Sequence, residues 1–198
     1  MDCVPLRTLV ATIVILIKDI TKDEYKAHLK SLDNESLIYR FSRIMTPEAI
    51  DLYVDSIPES NHILGAISTL YGELAAAAHM AVDDCGTQCE VGISTDLRYR
   101  RKGVAKELMQ HILTMCTNRG IHQLYMTCLT DNKAIINLCK KVGLAVVSSR
   151  GESETVLELP SVSFASLNKE LTMNNMVVAD ALMKPYKAQW QAWLRKNR

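Results

Sequence analysis

The chain has 198 residues, enough for one domain of ordinary size with an appendage and too few for two full enzymatic domains. Apolar residues make up 48% and charged residues 23%, which excludes disordered and fibrous proteins. The 23 Lys and Arg residues nearly balance the 22 Asp and Glu residues. Net charge therefore gives no general reason to expect a nucleic-acid coat or a membrane-surface protein.

The first third of the chain predicts one strand and two helices. Residues 9–17 are apolar and rich in β-branched side chains, which predicts a buried strand. This run is shorter than the roughly twenty residues of a membrane span, and a signal peptide is the lesser alternative. Thr21 followed by Glu24 is a capping-box pattern ahead of a helix over 25–32. Thr46-Pro47-Glu48 marks the start of a second helix.

The middle of the chain predicts strands. Residues 62–70 and 74–82 are apolar and flank a short turn that contains Gly72, which is typical of a hairpin. The alanines at 75–78 favour a helix by propensity, but we predict a strand whose small side chains allow a close approach to the sheet face. A turn cluster at 83–86 precedes another short strand at 90–95.

The second half alternates helices with strands. Helices are predicted over 104–118, where apolar residues form one stripe, and over 131–142. Strands are predicted over 124–129, 144–149 and 155–159. The predicted order, β-α-α-β-β-β-α-β-α-β-β, indicates an α/β fold with a mixed sheet, because crossovers in the centre favour parallel strands and hairpins favour antiparallel ones.

The segment from 90 to 106 carries the clearest chemical signal. Four basic side chains lie within residues 98–102, and Gly103 then opens the long helix. A helix N-terminus offers unsatisfied N–H groups to an anion, and Gly103 and Ala105 leave room for a phosphate near the backbone. The segment lacks the motifs of a Walker A loop and of a dinucleotide fingerprint. It predicts a pyrophosphate site, with a solvated basic loop as the alternative.

The sequence resembles the GNAT superfamily of N-acetyltransferases. Arg100-Arg101-Lys102-Gly103-Val104-Ala105 is similar to the family's Arg/Gln-x-x-Gly-x-Gly/Ala acetyl-CoA loop. Residues 132–144 are similar to its Asn-x-x-Ala-x-x-Leu-Tyr-x-x-x-Gly-Phe helix, and the strand at 123–129 agrees as well. The resemblance covers about residues 10–160. It implies the three-layer GNAT fold, with a mixed central sheet of six to seven strands between helices, and acetyl-CoA as cosubstrate without a metal.

A narrower resemblance concerns the acceptor. Residues 31–41 look like the Leu-Ser-x-Glu-Ser-x-Tyr-x-Arg-Phe segment of bacterial protein-lysine acetyltransferases of the Pat type. Glu90-Val91-Gly92-Ile93 is similar to their Ala-Glu-Val-Ala-Phe strand. This implies direct acetyl transfer to a primary amine in a ternary complex, with a protein lysine as acceptor. The alternatives are a small-molecule amine of the polyamine or antibiotic type, a protein N-terminus, and a non-catalytic acyl-CoA sensor.

The resemblance also implies roles for individual residues. Glu90 is implied as the base, since an ammonium group with a pKa near 10.4 must lose a proton before it can attack. We expect Glu90 beside the basic loop in a mostly apolar sheet, and the alternative is a strand-edge carboxylate facing water. A backbone N–H near residues 93–95 is implied to polarise the thioester carbonyl. The residues implied to bind the cofactor are Ile93, Ser94, Thr95, Arg100, Arg101, Lys102, Gly103, Val104, Ala105, Lys106 and Asn132.

Cysteine and histidine residues have weaker claims. Many relatives place a Tyr at the position of Cys139 to protonate the leaving thiolate; a thiol could donate too, but we favour a buried core residue. We expect His79 to be a satisfied strand histidine and His111 a helix-surface residue. Cys85 and Cys89 are close in sequence, yet no second ligand pair follows, so no metal is predicted. The six cysteines, without a secretion signal, predict reduced thiols in a cytoplasmic protein.

The C-terminal part lies outside the predicted acetyltransferase domain of residues 1–160. Residues 161–198 predict a helical extension, whose last fifteen residues hold five basic and no acidic side chains together with Trp190 and Trp193. We expect it to pack on its own domain or on a second copy, and a partner or an anionic membrane surface is the alternative. No transmembrane segment and no nucleic-acid partner are predicted.

Overall fold

A computed structural model describes residues 15–69, 71–149, 152–175 and 179. In chain order the elements are β1 (Ile15–Asp19), α1 (Lys22–Lys30), α2 (Asn34–Phe41), α3 (Pro47–Asp55), β2 (His62–Ser68), β3 (Leu74–Val82), β4 (Gln88–Thr95), a short 3-10 helix (Leu97–Tyr99), α4 (Val104–Asn118), β5 (Gln123–Leu129), α5 (Lys133–Lys141), β6 (Ala145–Ser149) and β7 (Glu152–Glu158). A further helix covers residues 164–175.

The strands form one seven-stranded sheet in the order β1-β2-β3-β4-β5-β7-β6. β4 and β5 are parallel neighbours, and the other neighbouring pairs of this sheet are antiparallel. Helix α4 is the crossover between β4 and β5, as a parallel pair requires. The predicted α/β fold with a mixed sheet of six to seven strands is confirmed.

Helices cover both faces of the sheet. On one face α4 packs on the central strands, and Leu108, Ile112 and Leu124 lie in the buried cluster between them. On the other face α1, α2 and α3 enclose a second cluster. The buried alanines of β3 serve both layers: Ala76 and Ala78 belong to the first cluster and Ala77 to the second. Their small side chains let helices approach closely on both faces.

The helices between β1 and β2 correct the prediction. The capping box of α1 is present, with the Glu24 N–H donating to Thr21 Oγ1 over 3.1 Å and the Thr21 N–H donating to Glu24 Oε2 over 2.8 Å. The predicted order gave two helices here, whereas the structure has three. The additional helix, α2, is only eight residues long, and Asp33 caps it by accepting from the Ser36 N–H over 2.6 Å. The prediction found α1 and α3, each nine residues long, from a capping box and from a proline at the helix start, and α2 has neither of these signals.

Parts of two predictions lie outside the described residues. Of the predicted strand at 9–17, the structure describes only residues 15–17, which belong to β1. The basic, tryptophan-containing end of the extension also lies outside the described ranges. Within them, the helix at 164–175 meets the end of α4, where Asn118 Nδ2 donates to the Ser166 carbonyl over 3.0 Å and Arg119 pairs with Glu170 over 3.1 Å. None of the described helices is long and apolar enough to cross a membrane.

Candidate active site

The two parallel strands at the centre of the sheet separate along their length. β4 pairs with β5 only where Gln88–Glu90 lies beside Gln123–Tyr125. Beyond that point in the described sheet, residues 91–95 pair only with β3, and residues 126–129 pair only with β7. Alternate backbone groups on the two facing edges are therefore left without a strand partner. The result is a V-shaped opening that has Glu90 and Tyr125 at its apex.

Two helix starts flank the wide end of the opening, because the carboxyl ends of parallel neighbours meet at one edge of a sheet. Gly103 is the N-cap of α4 with φ of +85°, and no side chain of the described residues caps that helix. The first N–H groups of α4 are thus open to an anion. Asn132 caps α5 by accepting from the Ile135 N–H over 3.2 Å.

The basic residues of the loop before α4 and of the first turn of α4 fall into two groups. Three have partners within the protein: Arg98 pairs with Glu73 and Asp96, Arg100 Nη2 donates to Ser36 Oγ over 2.5 Å, and the Lys102 ammonium lies 5.6 Å from the Tyr99 ring centroid. Arg101 in the loop and Lys106 in α4 make no ion pair with the described residues, and all five residues are exposed. A phosphate at the α4 N-terminus would lie among these charges.

Several residues predicted to bind the cofactor have side chains directed into the protein. Val104 is buried in the core below α4, so only its backbone can face a phosphate. Ser94 is buried, and its hydroxyl lies 3.0 Å from His28 Nε2. Ile93 packs against the core cluster on the α4 face. Any contribution of β4 to a ligand in the opening therefore comes mainly from its backbone groups.

Glu90 does not lie where the sequence led us to expect it. It is five residues before the end of β4, about 16 Å from the loop at roughly 3.3 Å per residue. Its side chain is exposed, not enclosed in an apolar sheet. Strand alternation puts Glu90 on the same face as Gly92 and Ser94, because Cys89 and Val91 point into the opposite core. Its position at the apex of the opening is nevertheless compatible with contact to a bound acceptor.

Tyr125 is a neighbour of Glu90 that sequence reasoning missed. The two residues are register partners in the parallel pair, so their side chains leave the same face of the sheet. Tyr125 is half-buried; burial raises the pKa of its hydroxyl, and the negative charge of Glu90 raises it further. The signal for this position was the alternation of side chains along a strand: Leu124 is buried on one face of the sheet, so Tyr125 lies on the opposite face, with Glu90.

A polar cluster, which we call the Arg40 cluster, covers the sheet next to Glu90. It consists of Arg40, Tyr25, Tyr53, His79 and Asn61. Arg40 Nη2 donates to Tyr53 Oη over 3.1 Å and to Tyr25 Oη over 3.4 Å. His79 lies 2.8 Å from Tyr53 Oη through Nδ1 and 3.1 Å from Asn61 Nδ2 through Nε2. Burial lowers the pKa of His79 to about 4, helped by the Arg40 charge, so this satisfied strand histidine is neutral.

Two other predicted residues lie in the core. Burial lowers the pKa of His111, which is 5% exposed on the inner face of α4, so its prediction as a surface residue was wrong. The helical stripe of Val104, Leu108 and Ile112 predicts this, since position 111 follows Leu108 by three residues. Cys139 is fully buried with Sγ 3.9 Å from the Met126 sulfur, and burial raises the pKa of its thiol to about 11. It is a core residue, as favoured.

Cys85 and Cys89, which are close enough in sequence to suggest metal ligands, lie in different environments. Cys85 is exposed in the turn before β4, and Cys89 is buried in the sheet. Among the residues that the structure describes, no group of three or more His, Cys, Asp or Glu side chains could hold a metal ion.

Comparison with known proteins decides the family. A family model described as the acetyltransferase (GNAT) family matches residues 17–144. The chain belongs to this family. This GNAT protein is therefore an acetyl-CoA-dependent acyltransferase. No curated protein matches the chain.

Solved structures of GNAT proteins share the fold at low identity. The GNAT domain of S. lividans PAT is 19% identical with a TM-score of 0.60, covering 72% of this chain and 89% of its own. An N-acetyltransferase from Staphylococcus aureus is 17% identical with a TM-score of 0.60, covering 74% and 99%. A phosphinothricin acetyltransferase from Sinorhizobium meliloti, solved with acetyl-CoA, is 15% identical with a TM-score of 0.62, covering 76% and 91%.

Proposed function

We propose that this acetyltransferase acts on a primary amine by direct attack in a ternary complex, with Glu90 as general base and a protein lysine as the first candidate acceptor. One observation carries the proposal. Glu90 is an exposed carboxylate at the apex of the opening between β4 and β5, where the two strands begin to separate. An amine that approaches a thioester in this opening from the Glu90 face of the sheet would lie near the Glu90 carboxylate.

The described residues fit acetyl-CoA. Bound acetyl-CoA supplies an activated acetyl thioester. The uncapped N-terminus of α4 supports binding of the pyrophosphate by the backbone of Arg101, Gly103 and Ala105, with Lys106 adding positive charge. The unpaired β4 edge at residues 93–95 offers N–H groups to the pantetheine arm and to the carbonyl oxygen. Asn132 at the start of α5 lies on the other side of the opening.

Glu90 would move one proton. A lysine ammonium with a pKa near 10.4 is almost fully protonated at neutral pH, so the attacking amine must first lose a proton. The Glu90 carboxylate can accept it directly or through one water, and its exposure lets the proton pass on to solvent. General base catalysis of this kind contributes about 10²- to 10⁴-fold in rate.

The acceptor has two candidates. The similarity of residues 31–41 to Pat-type enzymes supports a protein lysine, and this segment includes α2, which contacts both β4 and β5. The phosphinothricin acetyltransferase among the solved structures supports a small-molecule amine. A non-catalytic acyl-CoA sensor would bind acyl-CoA without turnover, and this binding would not depend on Glu90.

An acetyl-transfer screen separates these candidates. The release of free CoA is followed with lysine peptides, polyamines and aminoglycosides, for the unmodified protein and for Glu90→Gln. The exposed Glu59, which lies in the loop after α3, provides the matched control Glu59→Gln. We expect peptide acetylation that Glu90→Gln slows by at least about 10²-fold while Glu59→Gln does not. Turnover unchanged by Glu90→Gln would contradict the assignment of the base.

A further inference from the structure

The guanidinium of Arg40 carries a positive charge that no carboxylate of the described residues neutralises. Its two hydrogen bonds both leave from Nη2 and end on the hydroxyls of Tyr53 and Tyr25. Its Nε is buried and has no acceptor among the described residues. The Phe41 ring lies 4.8 Å from its central carbon. The guanidinium as a whole lies against Gly92 of β4, with Cζ, Nη1 and Nη2 all above it.

An unpaired charge in this position is costly. Arg40 is half-buried as a whole residue, but its guanidinium lies in the buried part and loses most of its hydration, which neutral hydroxyls and an aromatic ring replace only in part. His79, the neighbouring titratable group in the cluster, is neutral and adds no negative charge. An arriving carboxylate would therefore gain a charge-assisted bond from a group already desolvated and held in place.

The charge lies beside the reaction site. Gly92 follows Glu90 by two residues on the same face of β4, a separation of about 7 Å. Gly92 also belongs to the part of β4 that has separated from β5, so the sheet is open on that side within the described residues. A ligand that holds an amine near Glu90 can place a second group on Arg40 if the two groups lie about 7 Å apart.

We propose that Arg40 is an anion subsite for the acceptor, and that the preferred acceptor carries a carboxylate that can lie about 7 Å from its reactive amine. The inference rests on the proposed function of the same site. The carboxylate can belong to a free amino acid or to an acidic residue next to a lysine in a peptide. These two sources share one chemistry and are separated by the choice of acceptors below.

Gly92 offers a way to move the guanidinium without replacing it. A Cβ added at Gly92 would collide with the Cζ, Nη1 and Nη2 atoms of Arg40. Gly92→Ala should therefore displace the charge while keeping every ionisable group of the protein. Arg43, exposed three residues after Arg40, is the matched control for the loss of one arginine charge.

The test compares acceptors that differ by one carboxylate. The values of kcat/KM are measured for L-lysine against cadaverine, for L-tyrosine against tyramine, and for a lysine peptide flanked by Glu against the same peptide flanked by Gln. We expect the carboxylate-bearing member of at least one pair to be preferred by about 10- to 100-fold. Arg40→Gln and Gly92→Ala should each remove that preference, whereas Arg43→Gln should retain it. The pair whose preference is lost in both variants shows whether the carboxylate belongs to a free amino acid or to an acidic residue of a peptide.

Failure of the anion subsite is distinguishable from failure of acetyl transfer. If both members of every pair react equally well, or if Arg40→Gln slows both members equally, the proposed anion subsite is contradicted. The proposed acetyl transfer is then still supported. If no amine is acetylated, calorimetric titration of the same acceptors into the protein saturated with CoA measures the subsite directly. Binding of carboxylate-bearing members that is lost in Arg40→Gln would then support it, and equal binding to both proteins would overturn it. Circular dichroism confirms that each variant is folded.

Discussion

His28 makes the stability of this protein depend on pH in a way that can be calculated. Its imidazole is 5% exposed on α1 and its Nε2 lies 3.0 Å from the Ser94 hydroxyl on β4. Burial lowers the pKa of His28 to about 4 from 6.5, and the distant charge of Asp96 opposes this only partly. Replacement by Gln, whose amide can take the place of Nε2, removes the titration and keeps a polar partner for Ser94.

The sign and size of the effect follow from linkage. The unfolded state binds a proton near pH 6.5 and the folded state only near pH 4, so His28 stabilises the fold above pH 6.5 and this contribution is lost as pH falls. Between about pH 7 and pH 5 the loss amounts to about 2 kcal/mol, and it approaches about 3 kcal/mol below pH 4.

Urea unfolding at about pH 7 and pH 5 measures this contribution. The unmodified protein should lose about 2 kcal/mol more than His28→Gln over that interval. The exposed His122 gives the control: His122→Gln should keep the pH dependence of the unmodified protein. An equal loss of stability in His28→Gln and in the unmodified protein would refute the burial argument.

Three further predictions concern the cofactor loop, a cap and the core. Gly103→Ala forces an Ala into φ of +85°, so it should cost about 1 kcal/mol of unfolding free energy and weaken acetyl-CoA binding in calorimetry; tighter binding would contradict an open helix N-terminus. Thr21→Ala breaks the capping box of α1 and should cost about 1 kcal/mol in urea unfolding, whereas no loss would show that the cap is dispensable. Cys139→Ala removes a buried thiol, so we expect about 1 kcal/mol of destabilisation with kcat unchanged; a large fall in kcat would assign the general acid to Cys139.

The elements that could be predicted from the sequence are those with local signals. Helix α4 begins after Gly103 and ends before Gly120, and its apolar stripe spans four turns, so both ends and the buried face follow from the residues themselves. The hairpin of β2 and β3 follows from two apolar runs around Gly72. For the alanines of β3, the pattern of neighbouring strands outweighed helix propensity.

The features that could not be predicted depend on contacts between distant parts of the chain. The separation of β4 from β5 after Glu90 is a property of strand pairing, and no local pattern marks it. The contact of Arg40 with Gly92 joins residues 52 positions apart in the sequence. Neither an Arg in a short helix nor a Gly in a strand indicates this contact by itself. Helix α2 itself was missed because neither a capping box nor a proline marks its start, and its Asp33 N-cap is a weaker signal.

In the proposed mechanism Glu90, at the apex of the opening, takes the proton of the acceptor amine. The most direct measurement compares single-turnover acetyl transfer with acetyl-CoA affinity in Glu90→Gln, using the best acceptor from the screen. We expect a rate at least about 10²-fold lower with an unchanged dissociation constant for acetyl-CoA. A variant that transfers acetyl groups at the rate of the unmodified protein, with the cofactor bound as tightly, would contradict this mechanism.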